Sequence, residues 1–142
     1  MNDNILKRMV DIVRNNPFAC MATTDGVFPR ARYITIRNIE DDFTLVCATG
    51  MMDKKVSHIK MNPNVHVITG FPPFEEGMPN IGIEAIASIH TDQPTKEKYW
   101  EESFYEYFPG PDHEHYVILK LHPKRAWLST GEELRDFGRK DS

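Results

Sequence analysis

The chain has 142 residues and a formal net charge of −4, with 17 basic against 21 acidic side chains. At 40% hydrophobic and 27% charged it has the composition of a globular chain, and its length suits a single domain over residues 1–142. Basic residues never run longer than a pair, which argues against a nucleic-acid surface, and no apolar run approaches the ~18 residues of a membrane span. Asp3, Lys7, Arg8 and Asp11 interrupt the N-terminal stretch where a signal peptide would be apolar. Cys20 and Cys47 sit in apolar runs, so two buried free thiols in a reducing cytoplasm are expected.

In chain order, Ile5, Leu6, Met9, Val10, Ile12 and Val13 recur at helical spacing and predict an amphipathic helix over 4–16, ended by Asn15-Asn16-Pro17. Phe18 to Thr24 reads as a strand, Asp25-Gly26 as a hairpin turn, and Val27 to Arg37 as the returning strand. On that strand Arg30, Arg32, Ile34 and Ile36 share one face, and Ala31, Tyr33 and Thr35 the other. After the polar turn Glu40-Asp41-Asp42, the run from Phe43 to Thr49 suits a strand covered on both faces. Asp53 is a good N-cap for a short helix that buries Val56 and Ile59 and stops at Pro63. Val65 to Phe71 predicts a strand and Pro72 to Asn80 a loop. Ile81 to His90 alternates, with Ile81, Ile83, Ala85, Ala87 and Ile89 facing one way. A helix is predicted over Thr95 to Tyr107, carrying Trp100, Phe104 and Phe108 on one face. Strands follow at Tyr116 to Leu121 and Arg125 to Leu128, separated by a turn at Pro123-Lys124, and then a charged tail from Gly131. Strands in hairpin order, with helices at the start and between them, predict an antiparallel barrel with helical plugs rather than a doubly wound parallel sheet.

The candidate chemistry lies at the corner between Thr49 and Lys55. A glycine-containing corner opening a helix presents unpaired backbone N–H groups at the positive end of the macrodipole. Lys54 and Lys55 in that first turn oppose the dipole, and an anionic ligand such as a phosphate accounts for them. Arg30 and Arg32, inside a core-like strand, add to the same reading. His113-Glu114-His115 does not make a metal centre, because the two histidines fall on opposite sides of a strand and no further ligands have suitable spacing. Neither GxGxxG nor GxxxxGK[ST] is present, and no nucleophile–histidine arrangement can be argued from spacing.

From Asn16 to about Gly131 the order of elements resembles the pyridoxamine 5′-phosphate oxidase-like FMN-binding split barrels, in particular their short, general-stress-protein-like branch. The arginine-led strand Arg32-Tyr33-Ile34-Thr35-Ile36-Arg37, the corner Ala48-Thr49 to Asp53-Lys54-Lys55, the Asn62-Pro63 helix end and Trp127 before Gly131 carry the resemblance. It implies a mainly β fold, an antiparallel split β-barrel with flanking helices. It also implies that Arg32, Lys54 and Lys55 hold a flavin phosphate, with Thr49 at the phosphate or ribityl chain and the backbone of Tyr33 and Ile34 along the ring. Trp127 would approach the ring from a partner subunit, since the family builds its sites across a homodimer interface. The implied activity is FMN-dependent hydride transfer on a small molecule; the alternative is a non-catalytic binding, storage or sensing protein for flavin or the deazaflavin F420. No catalytic acid or base is named. The vitamin-oxidising members carry Arg-Leu-His-Asp-Arg after the tryptophan. Here Glu133-Leu134-Arg135-Asp136-Phe137 follows, so turnover of pyridoxamine 5′-phosphate is not expected.

Overall fold

The computed structural model describes residues 3–70, 79–135 and 137. Helix α1 (Asp3–Asn15) turns Met9 and Val13, both fully buried, toward the core. The Asn16 side chain closes it, its Nδ2 donating to the Ile12 carbonyl at 2.8 Å. β1 (Phe18–Thr24) and β2 (Pro29–Thr35) form the expected hairpin. Its turn is held by the Asp25 carboxylate, which accepts from the Val27 and Phe28 amides, while Gly26 takes a φ of +95°.

The returning strand is shorter than the expected Val27 to Arg37, because the chain changes partners after Thr35. The Ile36 amide donates to Pro17 O at 2.8 Å and the Arg37 amide to Val46 O at 2.8 Å. β3 (Asn38–Ile39) then pairs with β4 (Leu45–Gly50). One continuous segment therefore spans both ends of the sheet and curls it into a barrel. The turn into β4 places Phe43 at φ +69°, costly for a bulky residue. Full burial of its ring in the core, 5.9 Å from that of Phe137, offsets that cost.

α2 (Lys54–Met61) runs as expected, capped by Asp53 and burying Val56 and Ile59. β5 (Asn64–Gly70) follows; Phe71 and the expected loop residues 72–78 lie outside the described residues. β6 (Asn80–His90) buries Ile81, Ile83, Ala85 and Ala87 on one face, as its alternation predicts.

Three expectations change downstream. The single helix from Thr95 to Tyr107 is instead α3 (Gln93–Lys98) followed by a 3-10 turn, Glu102–Glu106. Asp92 caps α3, and Tyr99 and Phe104 both enter the cluster around Val46 and Tyr116. On a continuous helix those two side chains would point roughly 140° apart, so the break lets both face the sheet. The two expected C-terminal strands are one, β7 (Tyr116–Leu128). Its register with β6 shifts where Glu84 pairs Arg125 but Ala85 pairs Pro123, leaving Lys124 as a bulge that admits the proline. The tail is not wholly polar either. β8 (Glu133–Leu134) pairs with Ala126 and Trp127, and Leu134 and Phe137 are buried.

The described strands make one eight-stranded, all-antiparallel sheet in the order β2-β1-β5-β6-β7-β4-β3, with β8 on β7. The fold is mainly β, a curled split barrel with flanking helices. Its interior holds Met21, Leu45, Val67, Ile81, Ile83, Leu119 and Leu121. Truncating one such leucine to alanine costs about 2–5 kcal/mol. Among the described residues no helix is long and apolar enough to cross a membrane.

Candidate cofactor site

β2 and β4 separate where the chain transfers from one to the other, and a cleft of about 430 Å³ opens between them. Tyr33, Ile34 and Thr35 supply one wall, Cys47 to Gly50 the floor, and Lys55 one end. Phe104 from the 3-10 turn, with Tyr107 and Phe108 just after it, forms an aromatic wall, with Arg37 beside it. The Arg37 guanidinium lies 5.2 Å from the Phe104 ring centroid and 3.6 Å from a Glu101 carboxylate oxygen.

The corner before α2 is built as its sequence implies. Asp53 Oδ1 accepts from the Lys55 amide at 3.0 Å, and Asp53 Oδ2 pairs with Lys55 Nζ at 3.0 Å. Burial raises the Asp53 pKa, and the backbone and side-chain hydrogen bonds from Lys55, with the charges of Lys55 and Arg32, outweigh it and hold the carboxyl below its ordinary range. Arg32 turns inward: its Nη1 donates to Met21 O at 3.1 Å and its Nη2 lies 3.5 Å from His58 Nδ1, which in turn meets Thr23 Oγ1 at 2.8 Å. Desolvation lowers the Arg32 pKa, while the nearby Asp53 charge raises it.

The structure thus brings Tyr33, Ile34, Thr49 and Lys55 together around one cleft. Ile34 and Thr49 are buried, and the Lys55 side chain is only 12% exposed. Arg32 reaches the same corner through Asp53 but does not line the cleft. Lys54 is exposed, and it too stands outside the lining. Arg30 pairs with Asp25 at the hairpin, 2.7 Å away. Trp127 lies elsewhere, packed on Gly82 with the Arg125 guanidinium 5.0 Å from its ring and His66 at 5.5 Å.

Sequence reasoning passed over Arg37 and Cys47 as cleft residues. Arg37 shares the odd-numbered strand face with Tyr33 and Thr35, a parity visible in the sequence. The aromatic segment lines the cleft through the break in the predicted helix. Burial pushes the Cys47 thiol up to about 12 against the pull of Lys55 and Arg37, so it stays neutral at physiological pH. His113 and His115 lie in a loop, and among the described residues no group of three or more metal-binding side chains gathers.

The register also aligns Tyr33, Cys20, Ile68, Gly82 and Trp127 as successive partners across β2, β1, β5, β6 and β7. This outward row joins the rim of the cleft, where Phe18 and Tyr33 are 75% and 86% exposed, to the tryptophan. Four strand spacings put Trp127 on the order of 19 Å from Tyr33 within one chain.

Comparison with known proteins agrees with this architecture. The chain is 26% identical over 130 residues to General stress protein 26 of Bacillus subtilis (strain 168), covering 92% of this chain and 91% of that protein. It superposes on the crystal structure of General Stress Protein 26 from Bacillus anthracis str. Sterne with a TM-score of 0.79 at 27% identity, over 95% of this chain and 99% of that one. A pyridoxamine 5′-phosphate oxidase-related, FMN binding protein from Nostoc punctiforme shares the fold, with a TM-score of 0.67 at 14% identity over 88% and 81% of the two chains. The profile of the pyridoxamine 5′-phosphate oxidase family matches residues 5–130, from α1 through all of β7, and the chain belongs to that family.

Proposed function

We propose that the protein binds FMN in the cleft between β2 and β4, and serves as a flavin-dependent oxidoreductase acting by hydride transfer on a small molecule. The observation that carries this reading is the lining itself. The lining offers a nearly buried lysine, the extended backbone of β2 and β4, and an aromatic wall. A phosphate on a planar heterocycle needs a cation for the one part and a flat, partly apolar slot for the other. The volume falls within the ~300–1,000 Å³ of small-molecule sites. Lys55 and Thr49 would hold the phosphate end, with Arg32 adding charge from behind Asp53. Tyr33 to Thr35 and the Phe104–Phe108 wall would orient the ring and exclude water from its face. When bound, the flavin supplies hydride acceptance or donation at N5. The Nostoc punctiforme neighbour, described as FMN-binding, supports flavin as the ligand class.

The functional unit we propose is a homodimer. Trp127 is too far from the cleft of its own chain, and Ile68, exposed on the row between them, suits contact with a second copy, whose tryptophan would complete the site. The two unpaired cysteines fit a cytoplasmic setting.

A second reading is favoured by what the lining lacks. No carboxylate or imidazole is among the described lining residues, and the thiol there is held neutral. The chain offers the ligand binding and orientation rather than acid–base groups, as in a storage or sensing protein for flavin or F420. The absorbance spectrum and mass of the ligand that co-purifies decide the cofactor. Colourless protein that fails to bind added FMN refutes the flavin reading. Anaerobic mixing of the FMN-loaded protein with NADH or NADPH then separates enzyme from binder, bleaching of the flavin band supporting turnover.

A further inference from the structure

Asp53 occupies an unusual place for an acid, seated on the cation that ends the cleft. One carboxylate oxygen caps α2 through the Lys55 amide, and the other lies 3.0 Å from Lys55 Nζ. The charge of Arg32 reaches the same group. Capping alone does not require a carboxylate, since serine and asparagine cap as well. Capping through the amide of Lys55 while pairing with its ammonium folds the carboxylate back over the residue a phosphate would need. The Lys55 side chain is 12% exposed and has little room to serve a second anion while it holds the first.

We propose that Asp53 is a specificity-determining residue that competes with the ligand's phosphate for Lys55. The inference rests on the flavin reading above and adds to it. Asp53 keeps the preference for FMN over unphosphorylated riboflavin small and leaves the phosphorylated ligand exchangeable rather than resident. An arriving phosphate dianion must either displace the carboxylate from Lys55 or share the ammonium with it, and like charges at contact distance raise the free energy of the bound state. The Asp53 side chain is 46% exposed, so solvent screens this opposition to a moderate effect rather than a prohibitive one.

The test is Asp53→Asn, which keeps the cap and removes the charge, with Asp53→Ser as a second capping variant. FMN and riboflavin are titrated into each protein by fluorescence quenching, after circular dichroism and melting have shown that the variant is folded. FMN should bind roughly fivefold tighter to both variants while riboflavin changes by less than about twofold. FMN affinity that is unchanged or weaker in the folded variants overturns the competition. Equal tightening of both ligands overturns it too, because the effect would not act on the phosphate. If neither the original protein nor the variants bind FMN, the flavin reading itself fails and takes this inference with it.

Discussion

Replacing Lys55 by alanine isolates the phosphate end of the cleft. The ammonium is nearly buried and lines the cavity, so a charge-assisted bond from it to a phosphate contributes about 1.5–3 kcal/mol. Against that stands its present ion pair with Asp53, which is given up on binding. With Asp53 half exposed that pair is worth at most about 1 kcal/mol. The difference, about 0.5–2 kcal/mol, corresponds to FMN binding weakened roughly 2- to 30-fold in Lys55→Ala. Lys54 sits in the same turn but is exposed and outside the lining, so Lys54→Ala should weaken FMN by no more than about threefold. Riboflavin, lacking the phosphate, should bind both variants as it binds the parent. Fluorescence titration of the two ligands against the two variants provides the measurement. Equal losses in Lys54→Ala and Lys55→Ala, or equal losses of FMN and riboflavin, would show that the phosphate does not lie at Lys55.

Other consequences reach the assembly and the stability. Ile68 is 44% exposed on the outward row and does not line the cleft. Ile68→Glu should therefore turn a sedimenting dimer into a monomer and weaken FMN binding with it, whereas an unchanged sedimentation coefficient contradicts the shared site. Gly70 has a φ of +101°, and a Cβ there would stand 2.8 Å from Pro79 O. Gly70→Ala should cost roughly 2–3 kcal/mol and lower the melting temperature by about 5–10 °C. Cys47 is fully buried with its thiol pushed up to about 12 from an ordinary value of 9.0, so Ellman's reagent should leave Cys47 unmodified in the native protein and modify it after denaturation. Because folding favours the protonated thiol, its contribution is complete below pH ~9 and is lost as pH rises toward 12. Tyr99 and Tyr116, also raised to about 12 chiefly by burial, act in the same direction, and Cys47→Ala should flatten the alkaline decline measured by urea unfolding.

The sequence made most of this fold legible because local signals and burial agree. Asp25-Gly26 carries its own turn chemistry, Asp53 and Pro63 bound a helix, and the alternation from Ile81 to His90 names the buried face. It misled where a nonlocal contact overrode a local signal. Pro123 reads as a turn in isolation, but the long pairing between β6 and β7 absorbs it with one bulged lysine. Trp100, Phe104 and Phe108 read as a helical stripe, while the sheet around Tyr116 draws Tyr99 and Phe104 to one side and breaks the helix. Leu134 and Phe137 look like incidental apolar residues in a charged tail until the barrel places a core beneath them. At the site, the lysine-bearing corner was legible from capping and dipole arguments. The distinction between Lys54 and Lys55 was not, since it depends on which side of α2 faces the cleft.

The partner change after Thr35 has a bearing on how the protein is made. β4, which floors the cleft, finds its long partner only in β7, so Leu45 waits for Leu121 and Gly50 for Tyr116. The corner at Met51 waits as well, its amide donating to His115 O at 2.6 Å. A chain emerging from the ribosome can assemble the β1–β2 hairpin and α1 early, from neighbours in sequence. The binding cleft has no floor until most of the polypeptide has been synthesised. Closure of the cleft thus belongs to a late stage of folding, and a nascent chain stopped before β7 carries Lys55 and Arg37 without a cavity to place them in.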